Sequence, residues 1–218
     1  MLNKLDLLAR KARLWVPFTA LNTVWRLIDK EAKTVLDVGC GKGEPMRAIN
    51  RHKHYFTVGI DIFEPYLREC KRQGIHNQYL LGNIRNLPFR DKSFDVVLCL
   101  EVLEHLERED GGKLLGDMER TARKQVVLTT PAGRYKQEGC EGNPHQEHKY
   151  IWSLDEMRAL GYKVTGVGWR NLGGKAGLQS PLPRLLRVLV NIIWVSAGPI
   201  AYFLPGLAGD MVCVKKFQ

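Results

Sequence analysis

The sequence predicts an α/β fold in which a mostly parallel sheet of seven strands carries helices on both faces. Two observations lead to this prediction. Short apolar segments of strand length alternate with amphipathic segments of helical length from residue 34 onward. Two of the predicted strands contain continuous apolar runs, at residues 96–98 and 126–128. Continuous apolar runs of this kind are expected where helices cover both sides of a sheet.

The size and composition of the chain limit the function classes. Its 218 residues are enough for one domain with a sizeable core. Its content of hydrophobic residues (44%) and charged residues (26%) is that of an ordinary globular protein rather than a disordered one. The formal net charge of +10 favours an anionic partner: nucleic acid, a phosphorylated substrate or acidic lipid head groups. The sign of the charge does not choose among these three.

The five cysteines are scattered and form no Cys-x-x-Cys pair. The sequence therefore predicts neither a disulfide framework nor a cysteine zinc site, and this pattern fits a reducing cytoplasm. The first residues have neither the unbroken apolar core nor the cleavage site of a signal peptide, so we expect no export.

The order of the predicted elements divides the chain into an N-terminal helical extension, residues 1–33, and a main domain, residues 34–218. Two apolar stripes separated by Pro17 support the extension: Leu5, Leu8, Ala12 and Trp15, then Leu21, Val24, Trp25 and Ile28. The strands predicted in the main domain are 34–38, 55–60, 78–81, 94–100, 125–129, 163–168 and 211–217. The helices predicted between them are 44–50, 65–73, 112–123 and 153–160. Residues 132–150 have no clear period and are predicted to form a long loop over the carboxyl ends of the strands.

The first predicted strand runs into three glycines at alternate positions, Gly39, Gly41 and Gly43. Glycines there let the backbone turn sharply and let a ligand lie against main-chain N–H groups at the start of a helix. Dinucleotide-binding turns and purely structural turns produce similar strings. The dinucleotide fingerprint, however, spaces its glycines Gly-x-Gly-x-x-Gly, whereas here the spacing is Gly-x-Gly-x-Gly with Asp37 two residues ahead.

In this spacing and in its acidic residue, the segment resembles the class I S-adenosylmethionine-dependent methyltransferases, of the methyltransferase type 11 kind. The likeness runs from about Thr34 to Phe217. It implies a Rossmann-like fold, S-adenosyl-L-methionine as the cofactor, and transfer of its methyl group to an acceptor. It also implies that one loop holds the methionine end of the cofactor, through Asp37, Gly39, Cys40, Gly41 and Gly43.

Two further positions predicted to contact the cofactor follow the next two strands. Asp61, with Ile62 beside it, ends the second strand, where its two oxygens are able to accept both hydroxyls of a ribose. A merely solvated or helix-capping carboxylate is the alternative, and the distance of about 20 residues from the glycine loop favours the ribose role. Asn83 and Ile84 are predicted to contact adenine, although the family usually has Asp at position 83 and an amide oxygen is the weaker acceptor. A plain turn is the alternative there.

The fourth predicted strand is followed by Glu101-Val102-Leu103-Glu104-His105, which matches the family's loop beside the cofactor. Glu101 and His105 are one helical turn apart and are able to share a face toward the methyl group. We assign Glu101 to the cofactor and His105 to catalysis. The competing interpretation is a solvated helix start with an acidic first turn.

The stretch from Pro144 to Trp152 adds two histidines, His145 and His148. Histidine is the natural base near neutral pH, so the predicted catalytic residues are His105, His145 and His148. Together with the carboxylates Glu101 and Glu104, two imidazoles would also suit a metal ion. That combination is similar to the small-RNA 3′-end 2′-O-methyltransferases, which makes metal-dependent RNA methylation the alternative. The preferred prediction includes no metal.

No charged residue occurs between Arg187 and Asp210, and this length approaches the roughly 20 residues that cross a bilayer. The segment contains prolines and glycines, and the chain has to return to form its last strand. We therefore predict a hydrophobic helical insertion, about residues 175–209, that covers an acceptor pocket or touches a membrane surface. Nearby basic residues are predicted to meet anionic head groups: Lys175, Arg184, Arg187, Lys215 and Lys216. A helix packed on the core is the alternative.

These patterns predict an enzyme that methylates a small, apolar or lipid-linked acceptor, in the cytoplasm and peripheral to the inner face of the membrane. Two rival hypotheses remain beside the RNA enzyme. One is a cofactor-binding domain that regulates a partner without catalysis, and the other is a dinucleotide oxidoreductase. The identity of the acceptor and the oligomeric state are left open.

Overall fold

The computed structural model describes residues 14, 16–133, 142–168 and 198–217. Several sequence predictions lie outside these residues: the first apolar stripe of the extension, and most of the insertion with Lys175, Arg184 and Arg187. The boundaries of the extension and of the insertion therefore stay predictions.

Seven strands form one sheet in the described part of the chain. They are β1 (Thr34–Val38), β2 (Phe56–Asp61), β3 (Gln78–Leu81), β4 (Phe94–Leu100), β5 (Ala122–Pro131), β6 (Lys163–Val167) and β7 (Asp210–Lys216). Their order is β3-β2-β1-β4-β5-β7-β6, and β7 alone runs antiparallel to its two neighbours. The predicted fold class is confirmed. The chain leaves β1 toward β2 on one side and later returns to β4 on the other, which opens a crevice at the carboxyl ends of these strands.

The described helices are α1 (Ala20–Leu27), α2 (Glu44–Ile49), α3 (Glu64–Arg72), α4 (Arg108–Thr121), α5 (Leu154–Ala159) and α6 (Gly198–Phe203). They cover both faces of the sheet, so that the strands are buried on two sides. Leu36 belongs to the core cluster that contains Leu114 of α4, whereas its neighbour Val35 belongs to the cluster that contains Val24 of α1. This alternation follows from the opposite directions of successive side chains in a strand.

Two elements begin earlier than the sequence predicts. Helix α4 starts at Arg108 rather than near Gly112, because the acidic first turn of Glu109 and Asp110 suits the positive end of the helix dipole. Gly111 is tolerated inside it because a Cβ at this position would lie only 2.8 Å from the ring of Trp152. Strand β5 extends beyond the predicted 125–129 because it pairs with β4 on one side and with β7 on the other.

The second stripe of the N-terminal extension forms α1, which Thr19 caps by accepting from the amide of Asn22. Val24 and Ile28 are buried, as the stripe predicts. The helix packs on β5 and β7. This part of the extension is therefore integrated with the sheet.

The described end of the predicted insertion contains α6 and a 3₁₀ turn, Pro205–Leu207, which leads into β7. Helix α6 approaches β6 so closely that a Cβ at Gly166 would lie 2.2 Å from the carbonyl oxygen of Ala201. The other side of this segment exposes four large apolar side chains: Ile200, Phe203, Leu204 and Leu207. In the stretches that the structure describes, every helix is too short or too polar to span a bilayer.

Lys215 does not lie free for anionic head groups as the sequence predicts. Its ammonium nitrogen lies 2.6 Å from a carboxylate oxygen of Glu119 and 3.0 Å from the carbonyl oxygen of Leu160. The lysine is held there because α4 and α5 bring both acceptors to the end of β7. Lys216 is exposed.

Candidate cofactor and acceptor site

A cavity of about 430 Å³ lies at the carboxyl ends of β1, β2 and β4. Twelve of the thirteen residues predicted for the site line this cavity: Asp37, Gly39, Cys40, Gly41, Gly43, Asp61, Ile62, Asn83, Ile84, Glu101, His105 and His145. The thirteenth, His148, stacks near His105. Asn143, Pro144 and Lys149 also line the cavity, so the end of the predicted 132–150 loop does lie over the strand ends.

The glycine loop turns as expected, with positive φ angles of 69° at Gly39, 52° at Gly41 and 76° at Gly43. A Cβ at Gly39 would lie 2.5 Å from the side chain of Val102, so this position requires glycine for space as well. A Cβ at Gly41 would meet only the ring of Tyr66, at 4.0 Å. The loop therefore leaves room for a ligand at its middle glycine.

The amides of this loop are bonded within the protein, which differs from the expectation that a ligand lies against them. The amides of Gly39 and Cys40 donate to the carbonyl oxygen of Ile60, and the amide of Gly43 donates to that of Cys40. The amide of Gly41 donates to Asp61 Oδ2 at 2.7 Å. Three of these donors hold the loop against β2, and the fourth closes a turn within the loop. The loop thus contributes shape and carbonyl oxygens to the cavity rather than these N–H groups.

Asp61 is buried at the tip of β2, where it shapes the following turn, and its ribose role stays a prediction. Its Oδ2 accepts from Gly41, and its Oδ1 accepts from the amide of Phe63 at 2.8 Å, which shapes the turn into α3. Each oxygen keeps a further lone pair that is able to accept a ribose hydroxyl. Burial raises the pKa of Asp61, while the Phe63 and Gly41 amides and the nearby His145 oppose this shift.

Asn83 follows β3 and lines the same side of the cavity as Asp61. Its side-chain oxygen accepts from the amide of Arg85 at 3.0 Å, so the turn interpretation is correct for this residue. Ile84 is buried beside it. The Asn83 oxygen has a second lone pair that is able to accept another hydrogen bond. Contact with adenine stays a prediction.

Glu101 stands at the other side of β1, at the end of β4, with an unusual positive φ of 57°. Its amide lies 3.1 Å from both the carbonyl oxygen and the hydroxyl of Thr129. A non-glycine residue in this conformation costs about 1–3 kcal/mol and is characteristic of functional sites. Water reaches the side chain through the cavity. Nevertheless, enclosure by the protein and the nearby Asp210 raise the pKa of Glu101 to about 7.

Two more carboxyl groups join Glu101 to form an acidic cluster of Glu101, Glu104 and Asp210. Glu104 is buried, accepts from the Thr130 hydroxyl at 3.0 Å, and has a pKa raised well above its usual value by burial and by Glu101. Burial raises the pKa of Asp210 to about 6. The sequence did not single out Asp210, although this residue is the charge that ends the uncharged segment.

The three predicted catalytic histidines lie in two places. The rings of His105 and His148 are 5.0 Å apart, and His105 Nδ1 lies 3.0 Å from the carbonyl oxygen of Glu147. Because a carbonyl oxygen only accepts, Nδ1 carries the proton, and Nε2 keeps its lone pair. Burial lowers the pKa of His105, which keeps the imidazole neutral at neutral pH. His145 lies instead near Asp61, where it acts on that carboxylate.

Among the residues that the structure describes, two groups of side chains have the spacing of metal ligands. In the first group, Glu104, His105 and His148 each contribute one ligand atom, and these three atoms lie within 4.8 Å of one another. The other group is Cys40, Cys70 and His76, with the same spacing and full burial. The sequence predicts no cysteine metal site because the members of this second group are far apart in the chain.

His76 is a buried residue that sequence patterns missed. Its Nε2 lies 3.4 Å from Asp37 Oδ2. Burial raises the pKa of Asp37 to about 6, against the effect of His76. Burial alone would lower the pKa of His76, but Cys70 and Asp37 raise it overall. The carboxylate predicted to face the methionine end of a cofactor is thus also coupled to a histidine beneath the glycine loop.

The cavity fits a nucleoside with an amino-acid tail. Its volume of about 430 Å³ falls in the usual range of small-molecule sites, roughly 300–1,000 Å³. Neighbouring strands lie about 4.8 Å apart, so the Asp61 end and the Glu101 end, two strands from each other, are separated by roughly 10 Å. One end offers carboxylate lone pairs for hydroxyls, and the middle offers the open space at Gly41.

Comparisons with known proteins agree with this geometry. A family model described as a methyltransferase domain matches residues 36–129, which run from β1 into β5. The 24-methylenesterol C-methyltransferase 2 of Arabidopsis thaliana is 38% identical over 85 residues, which are 35% of this chain and 23% of that protein. The ubiquinone biosynthesis O-methyltransferase of Coxiella burnetii is 29% identical over 118 residues, which are 52% of this chain and 46% of that protein. The chain thus spans less than half the length of these relatives.

A solved structure extends the likeness to nearly the whole chain. It is a SAM-dependent methyltransferase from Archaeoglobus fulgidus, with a TM-score of 0.57, 17% sequence identity, and coverage of 97% of this chain and 94% of that chain. At this identity the likeness concerns the fold. The residues that the family model matches include the carboxyl ends of β1, β2 and β4, which border the cavity.

Proposed function

Because residues 36–129 belong to the methyltransferase-domain family and the fold is that of the class I S-adenosylmethionine-dependent methyltransferases, we propose that this chain methylates a small, apolar or lipid-linked acceptor. One observation carries the proposal. Predicted cofactor residues from the ends of four adjacent strands, β1 to β4, line a single cavity together with His105. Methyl transfer in this cavity requires that the cofactor and the acceptor bind next to each other.

The residues of the cavity would hold the two ends of the cofactor. Asp61 accepts the ribose hydroxyls, and Asn83 with Ile84 borders the adenine. Asp37 and the glycine loop border the methionine end. When bound, S-adenosylmethionine supplies a methyl group that its sulfonium already activates. The protein therefore has mainly to align the acceptor and exclude water.

His105 is the proposed base for acceptors that must lose a proton. Its Nε2 has the free lone pair, and Glu104 Oε1 lies 4.0 Å from this nitrogen. His145 is assigned to the ribose end instead, because its charge acts on Asp61. His148 would position the His105 ring from the side.

An apolar acceptor is supported by the segment that precedes β7. Asp210, at the start of β7, pairs with Pro131 of β5 and interacts with Glu101. The exposed side chains of Ile200, Phe203, Leu204 and Leu207 belong to the segment immediately before it, which packs on β6. By their names, one of the two relatives above acts on a sterol and the other acts in ubiquinone biosynthesis. Sterols and ubiquinone are both apolar molecules.

Cofactor binding is the first test of the proposal, and Asp61→Asn is the variant for it. Calorimetry with S-adenosylmethionine should give about 10- to 100-fold weaker binding than wild type, since a hydrogen bond to a charged group contributes roughly 1.5–3 kcal/mol. The control Asp155→Asn removes an exposed carboxylate on α5 and should bind as wild type does. No binding by wild type, or binding of NAD in its place, would refute the proposal.

The acceptor class is tested by a labelled methyl-transfer screen with prenylated phenols, sterols and short RNA. Transfer to an apolar compound is expected, and Phe203→Ser should raise the KM for it more than Leu160→Ser, which alters an exposed leucine after α5. In vesicle flotation, we expect the protein to favour acidic over neutral vesicles, which tests peripheral membrane contact. Tight cofactor binding without transfer to any acceptor would favour a regulatory domain.

Metal-dependent RNA ribose methylation is the second candidate, and the proximity of Glu104, His105 and His148 favours it. Here the two imidazoles and the carboxylate would hold a divalent ion, and His105 would not serve as the base. This candidate predicts that chelation abolishes transfer to short RNA and that His148→Asn has the same effect. Transfer that is indifferent to chelation would exclude it.

A further inference from the structure

The inner side of the glycine loop carries a second cluster of chemically reactive groups. The sulfur atoms of Cys40 and Cys70 and one ring nitrogen of His76 lie within 4.8 Å of one another. They come from three elements: the glycine loop, α3 and the turn before β3. Cys40 and His76 are 5% exposed and Cys70 is fully buried. Bulk water therefore does not solvate this cluster.

His76 lacks the hydrogen bonds that a buried imidazole normally makes. Neither ring nitrogen has a partner within the described part of the chain, and the side chain has no exposed surface. The nearest acceptor, Asp37 Oδ2, is 3.4 Å from Nε2 without the geometry of a hydrogen bond. Because buried polar groups are almost always satisfied, an imidazole in this state indicates a missing ligand.

The surrounding backbone is shaped to admit the cluster. A Cβ at Gly59 would lie 2.6 Å from the His76 ring and 2.9 Å from Cys40 Sγ. A Cβ at Gly43 would lie 2.6 Å from Cys70 Sγ. Glycine at both positions gives the two sulfurs and the ring the space they occupy. The three groups therefore share one small compartment under the loop.

We propose that Cys40, Cys70 and His76 bind a zinc ion or a similarly soft metal ion. Two thiolates and an imidazole are donors that Zn²⁺ prefers, at about 2.3 Å for sulfur and 2.0–2.1 Å for nitrogen. These bond lengths place the donors of one ion roughly 3.5–3.8 Å apart, so small side-chain rotations from the present spacing suffice. Binding releases the thiol protons of both cysteines.

Asp37 Oδ2 lies 3.4 Å from His76 Nε2, so an ion bound at Nδ1 would leave Nε2 facing this carboxylate. A metal-bound histidine usually directs its second nitrogen toward a carboxylate, which orients the ring. Asp37 and Cys40 also line the large cavity, so an ion has a path to the compartment. The bound ion would tie the glycine loop to α3 and to the turn before β3. This role is independent of the transferred methyl group and of the acceptor.

Cobalt(II) is the probe, because thiolate ligands give it a strong charge-transfer absorption in the near ultraviolet. The full chain, reduced and stripped with a chelator, should bind one cobalt ion with this absorption, and zinc should displace it. Cys70→Ser and His76→Asn should each weaken binding by at least about 100-fold. The matched control Cys213→Ser changes a buried cysteine of β7 outside the cluster and should bind as wild type does.

His148→Asn separates this site from the Glu104, His105 and His148 group, since it should leave the thiolate absorption intact. A measurement on wild type alone guards against misfolded variants: zinc should slow the alkylation of two thiols and raise the melting temperature. Absence of the thiolate absorption in wild type would overturn the proposal. So would its survival in both cluster variants, or a Cys40–Cys70 disulfide that persists in the reduced protein and leaves no metal bound.

Discussion

The two ends of the cavity are built in different ways. At the Asp61 end, which we propose holds the cofactor and call the cofactor end, this carboxylate is held by two backbone amides within a local strand-to-helix turn. At the Glu101 end, which we propose lies toward the acceptor and call the acceptor end, the acidic cluster of Glu101, Glu104 and Asp210 crowds three carboxyl groups from separate segments. Main-chain geometry therefore sets the cofactor end. Side-chain convergence sets the acceptor end and makes it sensitive to pH.

The largest effect is expected at Gly39, whose replacement would break the cofactor end. Gly39→Ala forces a Cβ to within 2.5 Å of Val102 at a φ of 69°. The left-handed backbone costs about 1–2 kcal/mol and the overpacking about 1–3 kcal/mol, so the free energy of unfolding should fall by roughly 2–5 kcal/mol in a urea titration.

Two variants control the Gly39 prediction. Gly112→Ala, on an open face of α4, should stabilise the protein by about 0.5–1 kcal/mol. Adding Val102→Ala to Gly39→Ala should remove part of the loss, because it relieves the contact but not the backbone strain. A double variant as unstable as the single one would contradict the contact described.

The next effect is expected at His105, on the acceptor end. His105→Asn should lower kcat about 100-fold or more for an acceptor that loses a proton, while the Kd for S-adenosylmethionine stays nearly constant. Stopped-time transfer assays and calorimetry measure the two quantities. His52→Asn, on an exposed turn, is the control. A parallel loss of cofactor affinity would show that the two ends are not separable.

The acidic cluster predicts a pH dependence of stability with a definite sign. The pKa of Glu104 is raised in the folded protein, so the folded state holds this proton at a pH where the unfolded state has lost it. The free energy of unfolding should therefore fall as pH rises above the ordinary glutamate pKa. Glu104→Gln removes this decline. The melting temperature of the variant minus that of wild type should therefore increase steadily from pH 5 to pH 8. Parallel curves would refute the assignment.

The smallest effect is expected at His145. Because its charge favours the ionised form of Asp61, His145→Asn should weaken S-adenosylmethionine binding only about two- to five-fold, the range of an exposed charge interaction. The difference should shrink in high salt, because salt screens an exposed charge interaction. Calorimetry at low and high ionic strength checks this trend. A large loss of kcat would instead indicate that His145 acts on the acceptor.

Local patterns predicted the cofactor end well. The glycine loop, Asp61 and Asn83 each follow a strand whose limits can be recognised from apolar runs, and the three tips meet because the strands are parallel neighbours. The same patterns gave no information on which amides would be free. The loop amides are bonded to Ile60 and Asp61, and such pairing depends on how two strands align.

The clusters formed by residues that are distant in the sequence could not be predicted from local patterns. His76 has no motif around it, and Cys70 lies on an amphipathic helix as an ordinary core residue would. Only the packing of α3 against the glycine loop brings them to Cys40. Likewise, Asp210 joins Glu101 because β7 inserts antiparallel beside β5, a pairing that no local period reveals.

The amino-acid sequence by itself determined the α/β class, the position of the strand tips and the residues that line the cavity at those tips, because strand periodicity and glycine conformation are properties of short segments. Tertiary structure alone decided which carboxyl groups lie close together, which histidine lies at which end, and which cysteines meet beneath the loop. The physical reason is that pKa shifts and ligand sets depend on distances of a few ångströms between side chains from remote parts of the chain.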